Sequence, residues 1–220
     1  MSNTTTLLKQ FRSFYFQNAF SDIEKAIEYF SIFGGTSWSV DSTKPLNELI
    51  VNKVLKNYTY IHTDITKLTH SNKLSHALLS ACATGDRRVY SSFKRARLSR
   101  EEGNEALHSL LRSGLIELEY SIERPISEED DNSDKLNFQS PFMRFWFAFV
   151  SPFYKSIKEG NYEEFEKAFT NREQSFCDFI FTKLSHALLQ QTLTSDPIIE
   201  IGSYWDKNCE IDILAKTKSG

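Results

Sequence analysis

Cysteine is scarce in this sequence, with three residues in 220, at Cys82, Cys177 and Cys209. An odd, widely spread set fits neither a disulfide framework nor the paired spacing of a zinc site, and it points to a reducing compartment, the cytoplasm. No apolar run approaches the ~18 residues that a membrane span needs. The polar, uncharged start from Met1 to Thr6 does not have the make-up of a secretory leader. Charge of one sign is also lacking: 26 Lys and Arg stand against 29 Asp and Glu, a net of −3, so any nucleic-acid contact must come from a local basic patch. No glycine-rich loop leads into Lys-Ser or Lys-Thr, which excludes a phosphate-binding loop for ATP.

What the chain does have is aromatic bulk. Eighteen Phe, nine Tyr and three Trp sit within a 40% hydrophobic composition, enough for a sizeable core spread over two or three modules.

Residues 1–70 read as helical. Ser21-Asp-Ile-Glu24 is a capping box ahead of Ala26, Ile27 and Phe30 at helical spacing, and Gly34–Gly35 closes that helix. Pro45 opens a second, with Leu46, Leu49, Ile50 and Val54 on one stripe. Residues 71–139 give helix, helix, helix, strand, loop, strand, the order of a winged helix-turn-helix. Ser71 caps the first helix and Gly85 closes it; a short second spans about Ser91–Leu98. Ser99-Arg-Glu-Glu102 is a capping box for the third, which turns Ala106, Leu107, Leu110 and Leu111 inward and ends at Gly114. Leu115–Ile122 alternates apolar and polar residues as a half-buried strand, and Lys135–Phe138 returns as a second. The acidic stretch 126–134 between them is a loop.

Six basic residues fall in the middle of this module: Arg87, Arg88, Lys94, Arg95, Arg97 and Arg100. Such a cluster suits DNA phosphates. The outer face of the third helix adds Asn104, matched to adenine, and His108, but also Glu101 and Glu105, which repel phosphate. The alternative is a solvated basic face that docks on an acidic partner or on the chain's own Glu128–Asp134 loop.

Residues 140–220 begin with Ser140-Pro141, an N-cap followed by proline at the first helical position. The helix it opens carries Phe142, Phe145, Trp146, Phe147, Phe149 and Phe153 and is expected to be buried core or an interface. Arg144 within it is expected to pair with a carboxylate. A second helix, about 171–191, has an apolar stripe of Phe176, Ile180, Leu184, Ala187 and Leu188 with Glu173 at its centre; His186 reads as structural. Finally, Ile198–Tyr204, the turn residues Asp206-Lys207-Asn208 and an alternating run from Cys209 read as a β-hairpin. Glu210 and Asp212 share one face, opposite Cys209, Ile211, Ile213 and Ala215. Two carboxylates so placed suit a divalent cation, or are a solvated strand face.

The runs Ile201–Ala215 and Phe138–Val150, with Tyr29–Trp38 and Lys44–Ile50, resemble the C-terminal region of archaeal-type DEXX-box ATPases. That region joins lid helices, a winged helix and a domain similar to the PD-(D/E)XK nuclease fold. The resemblance implies an α+β protein in three parts: a helical lid-like segment (1–70), a winged helix-turn-helix (71–139) and an incomplete PD-(D/E)XK-like unit (140–220). It implies that Asp212 is the metal-binding aspartate, with Glu210 beside it and Glu173 where the fold places an accessory acid. These three are the candidate catalytic residues, in vestigial form. The Glu-x-Lys that completes such a site belongs after the next turn, beyond Gly220, and the ATPase's phosphate-binding half is missing.

The expectation is therefore a non-enzymatic DNA-binding or regulatory module. It has no cofactor beyond weak Mg²⁺ or Mn²⁺ binding, duplex DNA or a protein as partner, no membrane association and no disulfides. The alternatives are a metal-dependent nuclease completed by sequence beyond residue 220, and a pure protein-interaction module.

Overall fold

The computed structural model describes residues 3–122, 134–193, 195–206 and 208–218. Residues 126–133 of the expected acidic loop, and Lys207 of the terminal turn, lie outside the described residues. The class is α+β: helices dominate, and two antiparallel hairpins are the sheets found among the described residues.

Helix α1 (Asn3–Gln17) buries Leu8, Phe11 and Phe14, one residue per turn, against α2 (Ile23–Phe33) and α11 (Glu173–Thr192). The cap of α2 is Asp22 rather than Ser21, its Oδ1 accepting the Glu24 N–H at 2.9 Å. Pro45 precedes α3 (Leu46–Ile50), which runs on through a π turn (Val51–Leu55) before α4 (Tyr58–Leu68).

The aromatic helix is the hub. From the Ser140 cap, α8 (Pro141–Phe145) widens into a π turn (Trp146–Val150) and closes in a 3-10 turn (Ser151–Phe153). Phe142, Phe145, Trp146, Phe147 and Phe149 are all buried. Two short helices, α9 (Tyr154–Lys158) and α10 (Glu163–Thr170), follow before α11. Phe149 meets Phe169 of α10 and Phe176 of α11 edge to face, at 5.2 and 5.1 Å between centroids, the geometry that ring quadrupoles favour. On the other side Trp146 stacks on Tyr58 of α4 at 5.5 Å. One apolar cluster, from Leu8 to Ala187, runs through all three sequence segments.

The middle segment has the expected order of three helices and two strands. Helix α5 (Lys73–Thr84) is capped by Asn72, whose Oδ1 accepts the Ser75 N–H, with Ser71 one residue outside. Helices α6 (Val89–Ala96) and α7 (Arg100–Arg112) pack on α5 and on each other. Gly103 makes the close crossing of α6 and α7 possible, because a Cβ there would sit 2.5 Å from the Phe93 ring. The Ser99 capping box forms in both directions: Glu102 N–H donates to Ser99 Oγ at 3.2 Å, and Ser99 N–H donates to Glu102 Oε2 at 2.9 Å. Ser99→Ala is expected to cost about 1 kcal/mol, measurable as a lower urea midpoint with an unchanged slope.

Strands β1 (Ile116–Glu119) and β2 (Lys135–Phe138) pair from Ile116↔Phe138 to Glu119↔Lys135. At the C-terminus β3 (Ile198–Trp205) pairs with β4 (Glu210–Thr217). Register shifts where Gly202 faces Leu214 but Tyr204 faces Ile211. Asp212 and Ile213 together therefore oppose Ser203, which breaks the strict alternation expected of β4.

The two hairpins are stitched together. Ile122 N–H donates to Ser203 O at 3.0 Å, and Ser121 Oγ both donates to Trp205 O at 3.1 Å and accepts its N–H at 2.9 Å. Gly202 leaves the room Ile122 needs. Lys135, among the most buried side chains, lies 4.4 Å from the Trp205 ring centroid and ends on the Glu210 carboxylate.

Candidate nucleic-acid interface and terminal half-site

Of the six basic residues, the fold keeps two for itself. Arg87 forms an ion pair with Glu119 and hydrogen-bonds Asn137 Oδ1; Arg88, just ahead of α6, donates to Asp206 O at 2.9 Å and ties the α5–α6 connection to the terminal hairpin. The other four are exposed around the α6–α7 turn. Lys94, Arg95 and Arg97 make no ion pair among the described residues. Arg100 rests on Tyr90, with its guanidinium 5.2 Å from the ring centroid and Nη2 donating to the Tyr90 hydroxyl. Along α7, Asn104 is half-buried, while Glu101, Glu105 and His108 are exposed.

The terminal carboxylates do not converge. Glu210 is committed to Lys135. Asp212 is exposed and contributes its backbone: its carbonyl accepts from Ser203 Oγ at 2.9 Å and contacts His186 Nε2 at 2.7 Å, which confirms a structural part for His186. Glu173 sits near the apolar stripe as its spacing predicts, and burial, then Glu28 across the interface, raises its pKa. But Glu173 lies thirteen residues before His186 on the same helix, about 20 Å along its axis. Periodicity gave the face of the helix and not the height. No group of three or more His, Cys, Asp or Glu among the described residues is arranged to hold a metal ion.

A charge cluster that the sequence did not signal lies beneath the wing. Glu119, on the strand face read as polar, is largely enclosed and accepts from Arg87, Asn137 and Lys183. Burial alone would raise its pKa, but Lys183 and Arg87 outweigh that and hold the carboxyl down at about 2. Its partners are 32, 18 and 64 residues away in sequence, so no local spacing could announce it. Arg144 departs from expectation. It meets no carboxylate among the described residues; it donates to Phe176 O at 2.9 Å, with the guanidinium 3.9 and 4.1 Å from the Phe176 and Phe179 centroids. The facing side of α11 offers it rings and a carbonyl, not an acid. Burial, then Arg87, lowers its pKa to about 9, which leaves it a cation at neutral pH.

The geometry defines an α+β protein with all three cysteines free and, among the described residues, no helix long and apolar enough to cross a membrane. Residues 146–220, the last third of the chain, match the sequence model of a family described as archaeal and bacterial proteins of unknown function, DUF234. No curated protein and no solved structure matches the chain. The matched span covers most of the aromatic helix, α10, α11 and the terminal hairpin; the basic tract lies outside it.

Proposed function

We propose that this chain is a non-enzymatic module that binds duplex DNA, equivalent to the C-terminal region of an archaeal-type DEXX-box ATPase. The observation that carries the reading is the exposed tract of Lys94, Arg95 and Arg97, cations with no ion-pair partner among the described residues, at the entrance to α7. In the winged-helix docking mode the third helix enters the major groove while the preceding turn meets the backbone. Glu101 and Glu105 flank Asn104 on α7, so binding is dominated by phosphate contacts and has modest sequence preference. The separation of Glu173 from Asp212, and the tie of Glu210 to Lys135, favour a role without cleavage. The family match over the C-terminal third is compatible with the ATPase-associated reading.

Fluorescence anisotropy with a labelled duplex tests this. Affinity should fall steeply with salt, and the triple variant Lys94→Glu, Arg95→Glu, Arg97→Glu should lose saturable binding; each phosphate contact removed lowers the log–log salt slope by about 0.9. A triple variant that binds like the parent would overturn the proposal and leave the surface to a protein partner.

A further inference from the structure

Three cations converge on one aromatic ring beneath the wing. Around Phe179 stand the Arg144 guanidinium at 4.1 Å, the Arg87 guanidinium at 4.5 Å and the Lys183 ammonium at 5.6 Å from the centroid. Glu119 pairs with both Arg87 and Lys183, one negative charge between two positive ones. Among the described residues no carboxylate pairs with Arg144, and its one hydrogen bond there goes to a backbone carbonyl. Even with Glu117, which stands on the same wall, three cations face two carboxylates.

Beside this cluster is a small cleft of about 50 Å³, with Arg144, Lys183, Asn137, Gln139, Ser140 and Phe179 on its walls. At ~10–15 Å³ for each water-sized occupant, it has room for about the four oxygens of a tetrahedral anion. Arg144 presents a planar fork suited to two such oxygens, and Lys183 supplies a point charge. An enclosed cation without a counter-ion is costly. An anion in the cleft removes that cost.

We infer that the cleft between β2, the start of α8 and α11 is a binding site for a single phosphate group, held by Arg144 and Lys183. The chemistry fits either free inorganic phosphate or the terminal monoester of a nucleic-acid strand. This site is separate from the exposed tract around Lys94, Arg95 and Arg97.

Isothermal titration of the full chain with sodium phosphate, against sodium chloride at equal ionic strength, is the test. Expected is one saturable site for phosphate and none for chloride. Lys183→Met, which retains Arg87 and Asn137 on Glu119, and Arg144→Lys should each weaken it at least tenfold. The triple Glu variant of Lys94, Arg95 and Arg97 should bind phosphate as the parent does, which separates this site from the DNA surface. A 5′-phosphorylated dinucleotide that competes where its 5′-hydroxyl form does not would assign the monoester; failure to compete would assign the free anion. If the parent shows no saturable phosphate binding, or if folded Lys183→Met binds phosphate unchanged, the inference is wrong. The parent titration is decisive even if both variants misfold.

Discussion

Phe149→Ala should destabilise the chain by about 3–5 kcal/mol, a fall in melting temperature of roughly 10 °C. Phe149 is fully buried and is the ring at which α8, α10 and α11 meet, with Phe145, Phe169 and Phe176 around it and Arg172 above its face at 5.1 Å. The neighbours are themselves rigid rings anchored on three helices, so the hole cannot close by a small shift. Both the transfer of the ring and the residual cavity therefore count. A Phe149→Leu variant, which refills much of the volume, should recover a substantial part of the loss. Thermal unfolding followed by circular dichroism reads both. If Phe149→Ala melted within two or three degrees of the parent, this junction would not be the centre of the core.

Glu119→Gln is the second large effect, expected to cost about 3–5 kcal/mol, because it strips the charge that Lys183 and Arg87 surround while leaving both cations enclosed. The same residue predicts a pH dependence. Its folded pKa of about 2 lies below the ordinary 4.5, so the folded state holds the proton more weakly than the unfolded state. The stabilisation is complete above pH 4.5 and is lost as pH falls through 2. A shift of that size corresponds to about 3 kcal/mol. Subtracting the urea stability of Glu119→Gln from that of the parent at each pH isolates the contribution. The difference should be flat near neutrality and shrink below pH 4.5. A difference that stays constant down to pH 2 would show that Glu119 is not the titrating group.

Much of this architecture was legible because it is local. The aromatic run after Ser140-Pro141 had to be buried, as core or at an interface, and it is core; Ser99-Arg-Glu-Glu102 carries both halves of its capping box within four residues. The wing strands and the terminal hairpin follow from alternation and turn chemistry. Helix α1 falls within the segment read as helical, but its own limits were not legible: Phe14, Tyr15 and Phe16 in succession blur the stripe, and its partner surface on α11 lies some 170 residues further along the chain. The charge cluster beneath the wing was invisible for the same reason, since Glu119 gathers its partners from the α5–α6 connection, from β2 and from α11. At the terminal hairpin the alternation predicts an apolar face of Ile211 and Ile213, which are in fact exposed, and opposite it the two acids Glu210 and Asp212. It could not reveal that Lys135 claims one of them, or that the bulge opposite Ser203 turns the other into a backbone anchor.

The stitching of the wing to the terminal hairpin also sets an order of assembly during synthesis. Ser121 and Lys135 leave the ribosome long before Trp205 and Glu210, the groups that cover them, from which they are separated by 84 and 75 residues. Until β3 and β4 emerge, the nascent chain carries an enclosed-to-be ammonium and an unmatched strand edge in the open. The three-helix unit can fold early on its own short-range contacts, but strands β1 and β2 acquire these neighbours only once β3 and β4 have emerged. Completion of the hairpin is thus the step that closes the domain.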